Sequence, residues 1–148
     1  RGVRGGRGTA LGRRARAVAV DGQGVWLLGG RGTGKSTLAI AMMALGAVLI
    51  SDDGVWLHSG GTPAMLERPE QAHELIEARG IGLIRSGPTI ARAPLVLAVD
   101  LDRPATARLP LRHTIALGDS TVPLIHAAGE HGLAPALLLM MRQGRAEP

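Results

Sequence analysis

Short apolar runs set between glycine-rich turns mark out the elements of this chain. Residues 15–20 alternate well enough for a strand, Asp21-Gly22-Gln23-Gly24 is a strong turn signal, and Val25-Trp26-Leu27-Leu28 reads as a buried strand. Together they predict a β-hairpin. Residues 37–45 carry a helical pattern closed by Gly46, and residues 47–51 run on as a second buried strand ending in Asp52-Asp53. A short returning strand is expected over residues 54–58, with His58 at its end and a loop over residues 59–63. Pro69-Glu70-Gln71-Ala72-His73-Glu74-Leu75-Ile76 opens like a helix, with proline at an early position and acids in the first turn. A strand over residues 95–99, another over residues 114–117 and an apolar helix over residues 134–141 complete the pattern.

Between the hairpin and the first helix lies Gly29-Gly30-Arg31-Gly32-Thr33-Gly34-Lys35-Ser36, which fits G-x-x-x-x-G-K-[ST] without a gap. Strand, glycine-rich turn and helix start point backbone N–H groups and the positive end of the helix dipole at one small volume, which suits a phosphate chain. The glycines allow close backbone approach, Lys35 supplies a point charge for the β/γ oxygens, and the Ser36 hydroxyl is suited to Mg²⁺. Thr37, next in line, suits an α-phosphate. Lys35 is the only lysine in a chain that otherwise uses arginine, so a flexible ammonium stands where a planar guanidinium would fit badly.

Composition changes this picture little. The 148 residues and 45% hydrophobic content support one domain, and the absence of cysteine excludes disulfides and thiolate metal sites. The absence of cysteine suits a reducing cytoplasm, and the apolar runs are too short to span a bilayer as helices, so a soluble, cytoplasmic protein is expected. The net charge of +5 is concentrated at the start: Arg1, Arg4, Arg7, Arg13, Arg14 and Arg16 contribute six positive charges with no acid among them, leaving −1 for the rest. Residues 1–13 therefore read as a disordered arginine- and glycine-rich tail, with the folded domain over residues 14–148. Trp26 and Trp56 are the only aromatic residues apart from histidine, so the tail has nothing to stack on bases and nucleic acid is not the expected partner.

Asp52 and Asp53, at the end of an apolar strand beside a phosphate loop, stand where a nucleotide site places a base or a metal ligand. Asp52 is the candidate base, with Asp53 raising its proton affinity by like-charge repulsion. Asp100 and Asp102 end the run over residues 95–99 as strand-end and turn acids. His126, Glu130 and His131 have spacings that a helix would gather, but Gly129 and Gly132 argue against one, so a metal cluster is not expected.

The phosphate loop, the strand ending Ser51-Asp52-Asp53, the Glu77-Ala78-Arg79-Gly80-Ile81-Gly82 segment and the run Ala93-Pro94-Leu95-Val96-Leu97-Ala98-Val99-Asp100-Leu101 follow one another as in HPr kinase/phosphorylase, which the chain resembles over residues 15–110. The resemblance is to the short, single-domain bacterial form. It implies an α/β fold, a P-loop kinase core like that of phosphoenolpyruvate carboxykinase, with a mixed β-sheet and flanking helices. It also implies ATP and Mg²⁺ as cofactors, Glu77 as a metal ligand beside Ser36, transfer to a serine of the phosphocarrier protein HPr with a reverse phosphorylase reaction, and a hexamer. The chain departs from the family at Arg31, where serine is common, at Thr37, where an acid is common, and at Arg14 or Arg16, which replaces a histidine. Three alternatives stand beside this reading: a P-loop kinase for a small metabolite, a nucleic-acid-associated NTPase using the arginine tail, and a nucleotide-binding but inactive relative.

Overall fold

The aliphatic alternation before the phosphate loop builds the middle of a sheet. In the computed structural model, which describes residues 9–12 and 15–146, β1 (Thr9–Gly12), β2 (Arg16–Val20) and β3 (Gln23–Leu28) precede α1 (Lys35–Ala44). There follow β4 (Val48–Ser51), β5 (Val55–His58), β6 (Met65–Glu67), β7 (Leu75–Ala78), β8 (Gly82–Arg85), β9 (Arg92–Asp100), β10 (His113–Leu117), β11 (Ser120–His126) and α2 (Leu133–Gln143). Among the described residues nine strands form one mixed sheet, ordered β1-β5-β6-β9-β3-β2-β4, with β11 on β9 and β10 beyond it; β7 and β8 form a separate hairpin. The expected α/β class and mixed sheet are both present.

Long β9 organises the sheet by changing partners along its length. Its start pairs antiparallel with β6 (Leu66↔Ala93), its end pairs parallel with β11 (Ile125↔Val99), and β3 runs parallel along its other edge (Leu27↔Val99). At the start of the β3 pairing a Cβ on Gly24 would come within 2.7 Å of the Pro94 carbonyl oxygen, so only glycine fits there.

Alternation then sorts the core into two layers. Val18, Val20, Val25 and Leu27 face α1 and α2, where Leu38, Ala39, Met42, Leu137 and Leu138 cover them. Ala17 and Ala19 face the opposite side with Ile50, Val55, Leu57, Leu66 and Leu95. A strand buried on both faces reads as a nearly continuous apolar run, as β2 does.

Two expectations need correction. The segment read as a helix from Pro69 forms a turn and then β7, which pairs with β8 (Ile76↔Ile84). The Arg68 guanidinium donates to the carbonyls of Ile50, Ala72 and His73, tying the turn to β4, and beyond it only alternate residues, Ile76 and Ala78, are buried. Burial with a period of two outweighs the helix-start signal. Within the stretch read as a disordered tail, Thr9–Gly12 pairs with β5 (Thr9↔His58 to Gly12↔Val55). The edge of β5 offers a ladder to any extended segment, and the His58 ring joins Thr9 Oγ1 (3.0 Å) to Glu67 Oε1 (2.6 Å) across three strands. The rest of that stretch, with Arg14, lies outside the described residues.

Candidate nucleotide and phosphoryl-transfer site

Strand direction gathers the site at one edge of the sheet. β3, β4 and β9 all run toward that edge, and β2, antiparallel to β3 and β4, starts there. The edge therefore collects the phosphate loop after β3, Asp52 after β4, Asp100 and Asp102 at the end of β9, and Arg16 at the head of β2.

The loop begins α1 two residues before the expected start, at Lys35, with Gly34 as its N-cap at φ 99°. No side chain caps this helix and its first turn holds no acid, so the orphan N–H groups there are suited to an anion. Lys35 is buried, and its Nζ donates to the carbonyls of Gly29 (2.6 Å) and Gly30 (2.7 Å). Thr33 Oγ1 donates to the Gly30 carbonyl at 2.8 Å. From outside the loop, Asp102 Oδ1 accepts the Gly30 N–H at 3.0 Å, and Asp100 Oδ1 accepts the Asp102 N–H at 2.8 Å. The β9 end thus anchors the loop, a role that composition and spacing did not reveal for these two acids.

Ser36 Oγ donates to Asp52 Oδ1 at 2.8 Å, joining the loop to the end of β4. Arg16 Nε lies 2.8 Å from the same oxygen, as an ion pair without hydrogen-bond alignment. Burial raises the Asp52 pKa above 3.8; the Ser36 hydrogen bond and Arg16 oppose the rise, and Asp53 adds the smallest contribution. Desolvation, rather than repulsion from Asp53, is thus the main cause. Asp53 is exposed, and its N–H donates to Ser51 Oγ at 3.2 Å.

A cavity of about 300 Å³ opens over this arrangement. It is lined by Arg16, Arg31, Lys35 and Arg79, by Gly32, Gly34, Ser36 and Thr37, and by Glu77. Four cations against one acid make it a site for a polyanion. The β7–β8 hairpin brings Glu77 and Arg79 to this cavity. Arg16 and Arg79 line the cavity although neither stood among the expected site residues: Arg16 entered only as a charge near the start and as one of two positions replacing a family histidine, and Arg79 only within the family signature. The hairpin register held the missing signal, since Arg16 opposes Leu27 at the end that feeds the loop.

A second cavity of about 410 Å³ shares Gly34 and Thr37 with the first and continues along Leu38, Ala41 and Leu101 to the start of α2. Glu130 and His131 line it from the preceding loop, while His126 ends β11 and stacks on His113 with ring centroids 4.4 Å apart. These three residues are not on one helix face.

The ligand atoms of Mg²⁺ are hard oxygens, and the Ser36 hydroxyl and the Glu77 carboxylate at the cavity fit that preference.

Comparison with known proteins gives a consistent picture. Over 67 residues the chain is 42% identical to the HPr kinase/phosphorylase of Mycoplasmopsis pulmonis (strain UAB CTIP), covering 45% of this chain and 22% of that protein. Over 120 residues it is 31% identical to the HPr kinase/phosphorylase of an Exiguobacterium species (strain ATCC BAA-1283 / AT1b), covering 73% of this chain and 39% of that protein. The chain therefore spans between 22% and 39% of these curated relatives. Among solved structures, the Hpr(Ser) kinase/phosphatase from Coxiella burnetii superposes with a TM-score of 0.72 at 25% identity, over 87% of this chain and 92% of that one. The family model of the HPr serine kinase C-terminal domain matches residues 12–87, which hold the phosphate loop, Asp52 and the β7–β8 hairpin, and the chain belongs to that family.

Proposed function

We propose that this domain is an ATP-dependent protein serine kinase that phosphorylates the phosphocarrier protein HPr, with phosphorolysis of the product as its reverse reaction, and so regulates the phosphotransferase system. The observation that supports this reading is the Asp52 carboxylate hydrogen-bonded to Ser36 of the phosphate loop beside a cationic cavity, where a base would be needed for a hydroxyl attacking a terminal phosphate. The relatives, named as HPr kinases, supply the acceptor.

In this reading Gly29, Gly30, Arg31, Gly32, Thr33, Gly34, Lys35, Ser36 and Thr37 hold ATP. The triphosphate lies in the cationic cavity and the nucleoside in the adjoining cavity beyond Thr37. Ser36 and Glu77 would hold Mg²⁺, which would offset the negative charge of the phosphates. Lys35 turns from the Gly29 and Gly30 carbonyls to the phosphate oxygens. Asp52 takes the proton of the serine hydroxyl as its oxygen forms a bond to the γ-phosphorus and the bond to the β–γ bridging oxygen breaks, leaving ADP. In reverse, a phosphate oxygen attacks the phosphoserine phosphorus, pyrophosphate forms, and protonated Asp52 returns its proton to the serine. The reaction is assigned to the cytoplasm, and the domain works as a homo-oligomer, a hexamer by family resemblance; exposed Leu109, Leu111 and Leu139 provide apolar surface for such an assembly.

Two substitutions separate the roles. Asp52→Asn keeps size and hydrogen bonding but removes proton acceptance, so transfer to HPr falls about 10²–10⁴-fold while ATP affinity is not lowered. Glu77→Gln weakens Mg²⁺ dependence and nucleotide affinity together. Measuring transfer and Mg²⁺–ATP affinity on both variants at one pH checks the assignment; wild-type transfer by Asp52→Asn overturns it.

A further inference from the structure

Arg16 is half-buried as the first residue of β2, an interior strand flanked by β3 and β4, whereas Arg31 in the loop and Arg79 in the hairpin turn are exposed. A register shift between Ala17 and Val18 against β4 pairs Ala17 with Ser51, which brings Arg16 beside Asp52. Its guanidinium is only partly used there. Nε lies 2.8 Å from Asp52 Oδ1 without alignment, one terminal nitrogen reaches the Ala15 carbonyl at 3.3 Å, and the other has no partner among the described residues. A planar fork with spare donors on a fixed strand is well matched to phosphate oxygens, which it can engage in pairs.

The two cavities set the direction of the ligand. Gly34 and Thr37 belong to both, so the nucleoside end lies on their side. Arg16 lines only the phosphate cavity, at the Ser36–Asp52 end. The phosphate nearest Arg16 is therefore the last of the chain.

We propose that Arg16 is the terminal-phosphate ligand of this site: it exchanges the Asp52 carboxylate for the γ-phosphate, and thereby makes the domain prefer nucleoside triphosphate over diphosphate. The inference rests on the nucleotide reading of the site. ADP does not reach Arg16 and leaves the Arg16–Asp52 pair in place. ATP draws the guanidinium away and uncovers the carboxylate for the incoming hydroxyl, so the same exchange that selects the triphosphate prepares the base.

Calorimetric titration of wild type, Arg16→Gln and Arg16→Lys with Mg²⁺ and either ADP or the non-hydrolysable triphosphate AMP-PNP tests this. Hydrogen bonds from a charged donor set the expected scale: Arg16→Gln lowers AMP-PNP affinity about 10–100-fold and leaves ADP affinity unchanged. Arg16→Lys, with the charge but not the fork, keeps part of the triphosphate preference. Equal losses for both nucleotides, or no loss for either, overturn the role of Arg16 while leaving the nucleotide site standing. If wild type binds neither nucleotide, it is the nucleotide reading itself that fails. A melting curve for each variant guards against misfolding, and Arg16→Lys supplies the answer if Arg16→Gln does not fold.

Discussion

A carboxylate that accepts a hydrogen bond from a hydroxyl and lies 2.8 Å from a guanidinium would ordinarily titrate low, yet burial raises the Asp52 pKa above its ordinary value of 3.8. The sign has a direct consequence for stability. With the native carboxyl holding its proton more tightly than the unfolded chain does, Asp52 contributes nothing below the unfolded value and an unfavourable increment that is complete above the native one. In metal-free protein the melting temperature of Asp52→Asn, relative to wild type, should therefore rise as pH increases from below 3.8 to neutrality. A difference that is flat or falls with pH contradicts the desolvated carboxylate. The nine loop residues and Asp52 were legible in the sequence because one motif and one strand end suffice to place them. Asp102 was not: its bond to Gly30 depends on β9 ending beside β3, a pairing between residues far apart in the chain. Lys35 is buried on the loop carbonyls, so Lys35→Ala removes two internal bonds as well as a ligand contact.

At the scale of elements, β1 matters beyond its four residues because it covers an edge of the main sheet. Deleting residues 1–12 strips β5 of one of its two partners and removes the Thr9–His58 bond. The melting temperature should fall, by roughly 2–4 °C for each kcal/mol lost in a domain of this size. An unchanged melting temperature would show that β5 does not depend on β1. Glycine and arginine content hid this strand, since a strand recruited by an open edge needs no hydrophobic pattern of its own. The β7–β8 hairpin was hidden for the opposite reason: Pro69 and the nearby acids imitate a helix start, while the decisive fact, burial of Ile76 against the α1 side of the sheet, is tertiary. The β2–β3 hairpin, α1 and α2 were readable because turn chemistry, glycine stops and apolar pattern agree locally.

Across the whole molecule, α/β class and mixed sheet were implied by the family resemblance, but the strand order was not legible in the residue pattern, because β9 serves three neighbours along one length. That order is what brings the loop, Asp52, Asp102 and Arg16 to one edge and leaves the hairpin to close the cavity with Glu77 and Arg79. Among the described residues no helix is long and apolar enough to cross a membrane. The most direct test of the proposed function is incubation of the purified domain with γ-labelled ATP, Mg²⁺ and purified HPr, followed by identification of the labelled residue. Label on an HPr serine, absent with Lys35→Ala, is the predicted result. ATP consumption with no label on HPr, or no nucleotide binding at all, would contradict it.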